Sequence, residues 1–117
     1  MILNKLYLHT KMDSKYITTL NDLVEGATIY HLAVENRNHA LLKKASKTEL
    51  EILDRDKESV LHWAAVNDDL ETCKLLLELN PNLINIKCIE DKTALDWAKE
   101  YQNEYNSHHI VCNFLKL

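Results

Sequence analysis

The 117 residues include one glycine, Gly26, and one proline, Pro81, few for a chain that must turn often. Asn and Asp tolerate the left-handed backbone better than other non-glycine residues, so they are expected to fill the tight positions. Asn38, Asp68, Asp69, Asn80 and Asn82 are the candidates. The three cysteines, Cys73, Cys88 and Cys112, make an odd set without a Cys-x-x-Cys pair. That argues against a disulfide framework and predicts reduced thiols in an intracellular, cytoplasmic setting. No apolar run approaches the ~18 residues of a membrane span. Residues 1–8 are apolar but lack a basic flank and a small-residue cleavage site, so they are read as structure rather than a leader. A basic excess is missing too: 14 Lys and Arg against 18 Asp and Glu leave a net charge of −4, which argues against general nucleic-acid binding. The densest cationic cluster, Lys43, Lys44 and Lys47, reads as a solvated helix face. No phosphate loop, cofactor fingerprint or paired-carboxylate site is present, and no cofactor or metal is expected.

What the chain does contain is one phrase written three times. Thr28-Ile29-Tyr30-His31-Leu32-Ala33, Ser59-Val60-Leu61-His62-Trp63-Ala64 and Thr93-Ala94-Leu95-Asp96-Trp97-Ala98 begin 31 and 34 residues apart. A period near 33 indicates stacked helix–turn–helix units, none able to bury its apolar face alone. The 46% of hydrophobic residues can supply one core for such a stack.

The middle copy reads most clearly. Ser59 is placed to cap a helix carrying Leu61, Ala64 and Ala65. Asn67-Asp68-Asp69 breaks it, and a second helix runs from near Leu70 to Asn80-Pro81, with Cys73, Leu76 and Leu77 at buried-face spacing. In the first copy Thr28–Val34 forms a helix, Asn36-Arg37-Asn38 the turn, and a second helix starts near His39. The third copy predicts a first helix to about Gln102, an enlarged loop at 103–106 and a last helix from about Ser107. Residues 1–22 are expected to be an N-terminal helical cap or degenerate repeat, with repeats at about 23–53, 54–87 and 88–117.

These copies resemble ankyrin repeats, whose unit contains Thr-Pro-Leu-His-x-Ala, a short turn and a leucine-rich second helix. The motif proline is replaced by Ile29, Val60 and Ala94, and the glycine between helices by Arg37 and Asp68. The resemblance implies an all-α solenoid with short β-turn or hairpin tips and a concave groove. It also implies that the motif residues Thr28, His31, Ser59, His62, Trp63, Thr93, Asp96 and Trp97 hold the stack together, the histidines bonding backbone and the motif hydroxyl. On that frame Arg55, Asp56, Lys57 and Glu90, Asp91, Lys92 fall at the tips. Glu35, Asn36, Val66, Asn67, Glu100 and Tyr101 face the groove.

Ser59, His62 and Asp96 can be written as a hydrolase triad, but each occupies a repeated position, and repetition points to a structural duty. His108 and Cys112 stand i, i+4, yet a structural zinc site normally needs four ligands. A solvent-facing pair, His108 and His109, beside a buried cysteine is expected instead. The reading that follows is a monomeric, non-catalytic protein-interaction module that binds another protein, with no nucleic acid and no membrane insertion. The alternatives are a regulatory or targeting domain of a larger enzyme or lipid-carrier protein, or a pathogen effector that binds host proteins in the host cytosol.

Overall fold

The computed structural model describes residues 26–116; the expected cap at residues 1–22 lies outside them. Seven α-helices follow in order: α1 (Ile29–Glu35), α2 (His39–Lys43), α3 (Lys47–Leu50), α4 (Val60–Val66), α5 (Leu70–Leu79), α6 (Ala94–Tyr105) and α7 (His109–Leu115), with a 3-10 turn at Pro81–Asn85 between α5 and α6. There is no strand among the described residues. The fold is the helical stack that the repeat implies.

Each copy of the phrase starts a helix by the same local chemistry. Thr28, Ser59 and Thr93 are extended N-caps whose side chains accept backbone N–H groups of the first turn, and the residue three further on returns a bond to the cap's own N–H. This closes a capping box at His31, His62 and Asp96, satisfying donors that a helix start otherwise leaves open. A fourth box, Ser46 with Glu49, starts α3.

Helices α1, α4 and α6 pack side by side, and each pairs with the second helix of its unit, α2, α5 and α7. Leu42, Leu50, Leu61, Ala64, Leu76, Leu83, Ala94, Ala98 and Val111 are fully buried between the two rows. The alanines let backbones approach closely, and leucines fill the space between rows. Helix α4 lies between α1 and α6 and touches both, so its residues serve all three units.

Turn chemistry departs from the expectation. Of the Asn and Asp candidates only Asp68 is left-handed (φ 57°); the others in that region are Arg37, Lys57, Asp91, Asn106 and His108. Asn38, Asp69 and Asn80 instead sit on the negative-φ side and accept bonds from Leu41, Thr72 and Asn82. The sharp reversal falls one residue earlier, at Arg37 and Asp68, because the following residue is needed as the cap. Gly26, Lys57 and Asp91 share a left-handed backbone at one repeat interval. Only the first of them must be glycine: a Cβ there would lie 2.9 Å from the Arg55 backbone nitrogen.

Residues 103–105 of the expected loop are helical. Helix α6 continues to Tyr105 and ends at left-handed Asn106. Nothing in Gln102-Asn103-Glu104-Tyr105 breaks a helix, and Tyr105 falls one turn after Tyr101, their ring centroids 5.6 Å apart.

Candidate interaction surface

The histidines of the phrase join neighbouring units. His31 Nδ1 accepts from the Thr28 N–H at 3.0 Å, and Nε2 donates to the Glu58 carbonyl at 3.0 Å. His62 repeats this one unit later, Nδ1 accepting from the Ser59 N–H at 3.1 Å and Nε2 donating to the Lys92 carbonyl at 2.8 Å. An amide N–H can only donate and a carbonyl can only accept, so the partners themselves set the tautomer. Asp96 accepts from the Thr93 N–H at 3.0 Å but, as an acceptor-only carboxylate, has no proton to send onward.

Glu58 and Lys92 end the tips to which those bonds reach. In the first tip Lys57 N–H donates to the Asp54 carbonyl and Asp54 N–H to Glu58; in the second, Asp91 N–H donates to Cys88 and Cys88 N–H to Lys92. Ile89 N–H donates to the Asp56 carbonyl at 2.9 Å, fastening one tip to the next. Asp54, which the sequence reading passed over, organises the first tip. Its Oδ1 accepts from Asp56 and Glu58 N–H at 2.9 and 2.8 Å, and its Oδ2 from the Trp63 indole N–H at 2.9 Å. The signal available was the Asp54-Arg55-Asp56 run, since Asp side chains commonly bond the backbone two residues on.

The residues expected at the tips and groove divide by burial. Arg55, Lys57, Asp91 and Asn36 are exposed, and Asn67, Glu90, Lys92 and Glu100 are half-buried. Lys92 pairs with Glu100 and lies 4.9 Å over the Trp97 ring. Glu35, Asp56, Val66 and Tyr101, expected at the tips and groove, are buried. The Asp56 carbonyl accepts from Ile89 of the next tip. Val66 and Tyr101 pack with Cys88 and Trp97 in a second core cluster, and the Tyr101 ring stacks on His108 at 4.9 Å. Glu35 is held inward by Asn67, whose Nδ2 donates to Oε1 at 2.7 Å. Trp63 and Trp97 are both buried.

A family model described as ankyrin repeats (3 copies) matches residues 4–85 and 30–115. The chain belongs to the ankyrin repeat family. Inversin from mouse, dog and human is 31% identical to it over 93 residues, 76% of this chain and 8–9% of each relative. The chain thus spans under a tenth of the length of these curated relatives. Ankyrin repeats are in general protein-interaction modules and in general non-catalytic. No helix among the described residues is long and apolar enough to cross a membrane.

Chemistry outside the ankyrin phrase is muted. His108 is buried rather than solvent-facing: its Nε2 donates to the Val66 carbonyl at 2.7 Å and Nδ1 meets Ser107 Oγ at 2.7 Å. His109 is exposed, with Nε2 3.1 Å from Asn106 Oδ1. His108 turns inward because α7 starts from it in a left-handed conformation. No group of three or more potential metal ligands occurs among the described residues. Cys73, Cys88 and Cys112 are free thiols, all buried. Burial pushes the Cys73 and Cys112 thiols up, away from the thiolate that nucleophilic chemistry requires.

Glu35 is the strongly displaced carboxyl among the described residues. Burial raises its carboxyl to about 7, the Asn67 bond opposing in part. Between the ordinary glutamate range and pH 7, the folded chain therefore keeps a proton that the unfolded chain has released. Stability attributable to Glu35 is full below about pH 4.5 and is lost as pH rises through 7. Relative to Glu35→Gln, the wild type is expected to lose roughly 2–3 kcal/mol between pH 5 and pH 8. Paired urea titrations across that range check this; parallel profiles for the two proteins would contradict it.

Proposed function

We propose that the chain is a non-catalytic recognition module that binds a protein partner across its tips and groove. The supporting observation is the continuously hydrogen-bonded run of tips, in which His31, His62 and Ile89 each fasten one unit to the next. Arg55, Lys57 and Asp91 extend from it into solvent, with Asn36, Asn67 and Glu100 beside them. Such a surface is ordered before it meets its partner, so association loses less entropy than ordering a loose loop. A non-catalytic role is supported by the use to which Ser59 and His62 are put. The Ser59 hydroxyl is fully buried, accepts two helix N–H groups and meets His62 Nδ1 at 2.9 Å, leaving no open side for a substrate.

The test is capture of partners by the full chain in three forms. These are wild type, a tip variant (Arg55→Glu, Lys57→Glu and Asp91→Lys combined) and a control altered at exposed Lys43 and Lys44, at the end of α2. All three are expected to stay folded by circular dichroism. The tip variant should lose at least tenfold in partner recovered, a difference of about 1.4 kcal/mol, while the control keeps it. An identical partner set at equal yield from the tip variant would reject this surface.

A further inference from the structure

One buried group is not absorbed by the stack. Glu35 is only 4% exposed, and while its Oε1 accepts from Asn67, its Oε2 has no hydrogen-bond partner among the described residues. A buried carboxylate oxygen without a donor is costly, and most buried polar atoms have one. Glu35 borders a cleft of about 200 Å³ between the first two inter-helix turns, lined by Val34, Glu35, Arg37, Asn67, Asp68 and Asp69. At ~30 Å³ for a water's share of liquid volume, that is room for a side chain rather than a single ion. Three of the lining residues carry carboxylates and one carries a cation. Arg37 does not satisfy Glu35: its guanidinium stands 3.4 Å from Asp69 Oδ1 at the rim, more than half exposed. Asp69 Oδ2 is taken by the Thr72 hydroxyl at 2.6 Å.

We propose that this cleft seats one lysine or arginine side chain of a protein partner, with the Glu35 carboxylate as its terminal acceptor. The inference rests on the recognition reading above and names the chemistry of one contact within it. Both side chains bring only donors, three on the ammonium and five on the guanidinium, which is what the orphaned oxygen lacks. Val34 gives the methylene stem an apolar wall, and the excess of carboxylates attracts the charged end. Arg37 is the competing cation already at the rim.

Seating a cation favours the ionised form of Glu35, so binding releases a proton from a carboxyl that burial holds at about 7. The other charged groups facing the cleft are Arg37, Asp68 and Asp69; His39 on α2 reaches Asp69 only through the Thr72 hydroxyl, at 2.8 Å. As the ionised fraction of Glu35 climbs, affinity for a cation is expected to rise about tenfold from pH 6 to pH 8.

The probes are N-acetyl-lysine methylamide and N-acetyl-arginine methylamide, with N-acetyl-norleucine methylamide as the uncharged control. Each is titrated into the full chain while the Asn67 side-chain amide signals are followed by NMR. Saturable shifts with at least one cationic probe, none with the control, and about tenfold tighter binding at pH 8 than at pH 6 are the expected results. Glu35→Gln should abolish the saturation, and Arg37→Gln should tighten binding severalfold. If Glu35→Gln does not fold, Asp68→Asn, at an exposed position, should weaken binding severalfold instead. The proposal is overturned by equal shifts from norleucine, by no saturable shift at Asn67, or by weaker binding in Arg37→Gln. Loss of partner capture in the tip variant together with silent probes would sink the cleft alone. Seated probes with unchanged capture in the tip variant would sink the tip surface and leave the cleft standing.

Discussion

Trp63→Ala is expected to lower the unfolding free energy by about 3–5 kcal/mol and to melt the described units in one transition. The side chain is 2% exposed at the junction of the first two units. Its ring meets His31 edge-on at a centroid distance of 5.0 Å, and its indole N–H donates to Asp54 Oδ2 at 2.9 Å. Truncation therefore opens a cavity beside the histidine that joins unit one to unit two. It also leaves a buried carboxylate oxygen without its donor, in the residue that shapes the first tip. In a stack whose units contact only their neighbours, the middle unit cannot be weakened without affecting both sides. A fall in Tm of at least roughly 10 °C should accompany the change, given ~4–8 °C per kcal/mol for domains of this size. Trp63→Phe separates the two causes. It keeps most of the packing and loses the bond, so its cost is expected near 1–2 kcal/mol. Thermal melts and urea titrations of the three proteins decide it, and a Tm for Trp63→Ala within a degree of wild type would mean the register of the units is wrong.

His62→Ala should cost roughly 3–5 kcal/mol, although it removes a smaller side chain. The fully buried imidazole is bonded on both nitrogens, to Ser59 behind and to the Lys92 carbonyl ahead. Its loss strands the Ser59 N–H, at about 1–3 kcal/mol for a buried group left unpaired, removes one of the two bonds to the Lys92 carbonyl, which keeps the Cys88 N–H, and adds a cavity. Asp96→Ala is the informative comparison. Asp96 holds the same position in the third copy, but its bonds go only to the N-cap of its own helix, so about 1 kcal/mol, the ordinary worth of a cap, is expected. Equal costs at the two positions would show that the bond between units contributes nothing beyond the capping box.

The repeat was legible because its physics is local. A hydroxyl at Thr28, Ser59 and Thr93 caps the helix that follows it whatever surrounds it. Periodic leucines and alanines then have to meet something, and only a neighbouring unit can supply it. The helix starts, the pairing of helices and the family follow from that. The corrections arose where one unit lies over another. Asp56 looks like an exposed tip residue in a list of charges, but it is buried, its carbonyl bonded by Ile89 of the next tip. Val66 and Tyr101 look like groove residues, yet with Cys88 and Trp97 they close a second cluster. His108 looks like half of a surface pair, and a left-handed start to α7 turns it onto the Val66 carbonyl. Burial of this kind depends on contacts far apart in sequence, 42 residues for His108 and Val66, and no local pattern reports it.

The amino-acid sequence by itself determined where each first helix begins and which side chains close its N-terminus, since those interactions span three or four residues. Only the tertiary structure decided which of the varying residues still face solvent and which carboxylate is left without a donor. Glu35 is one glutamate among many until α4 and its turn come alongside, bringing Asn67 to one oxygen and nothing to the other. Burial against a neighbouring unit then turns a capping phrase repeated for support into a surface with an unfilled acceptor.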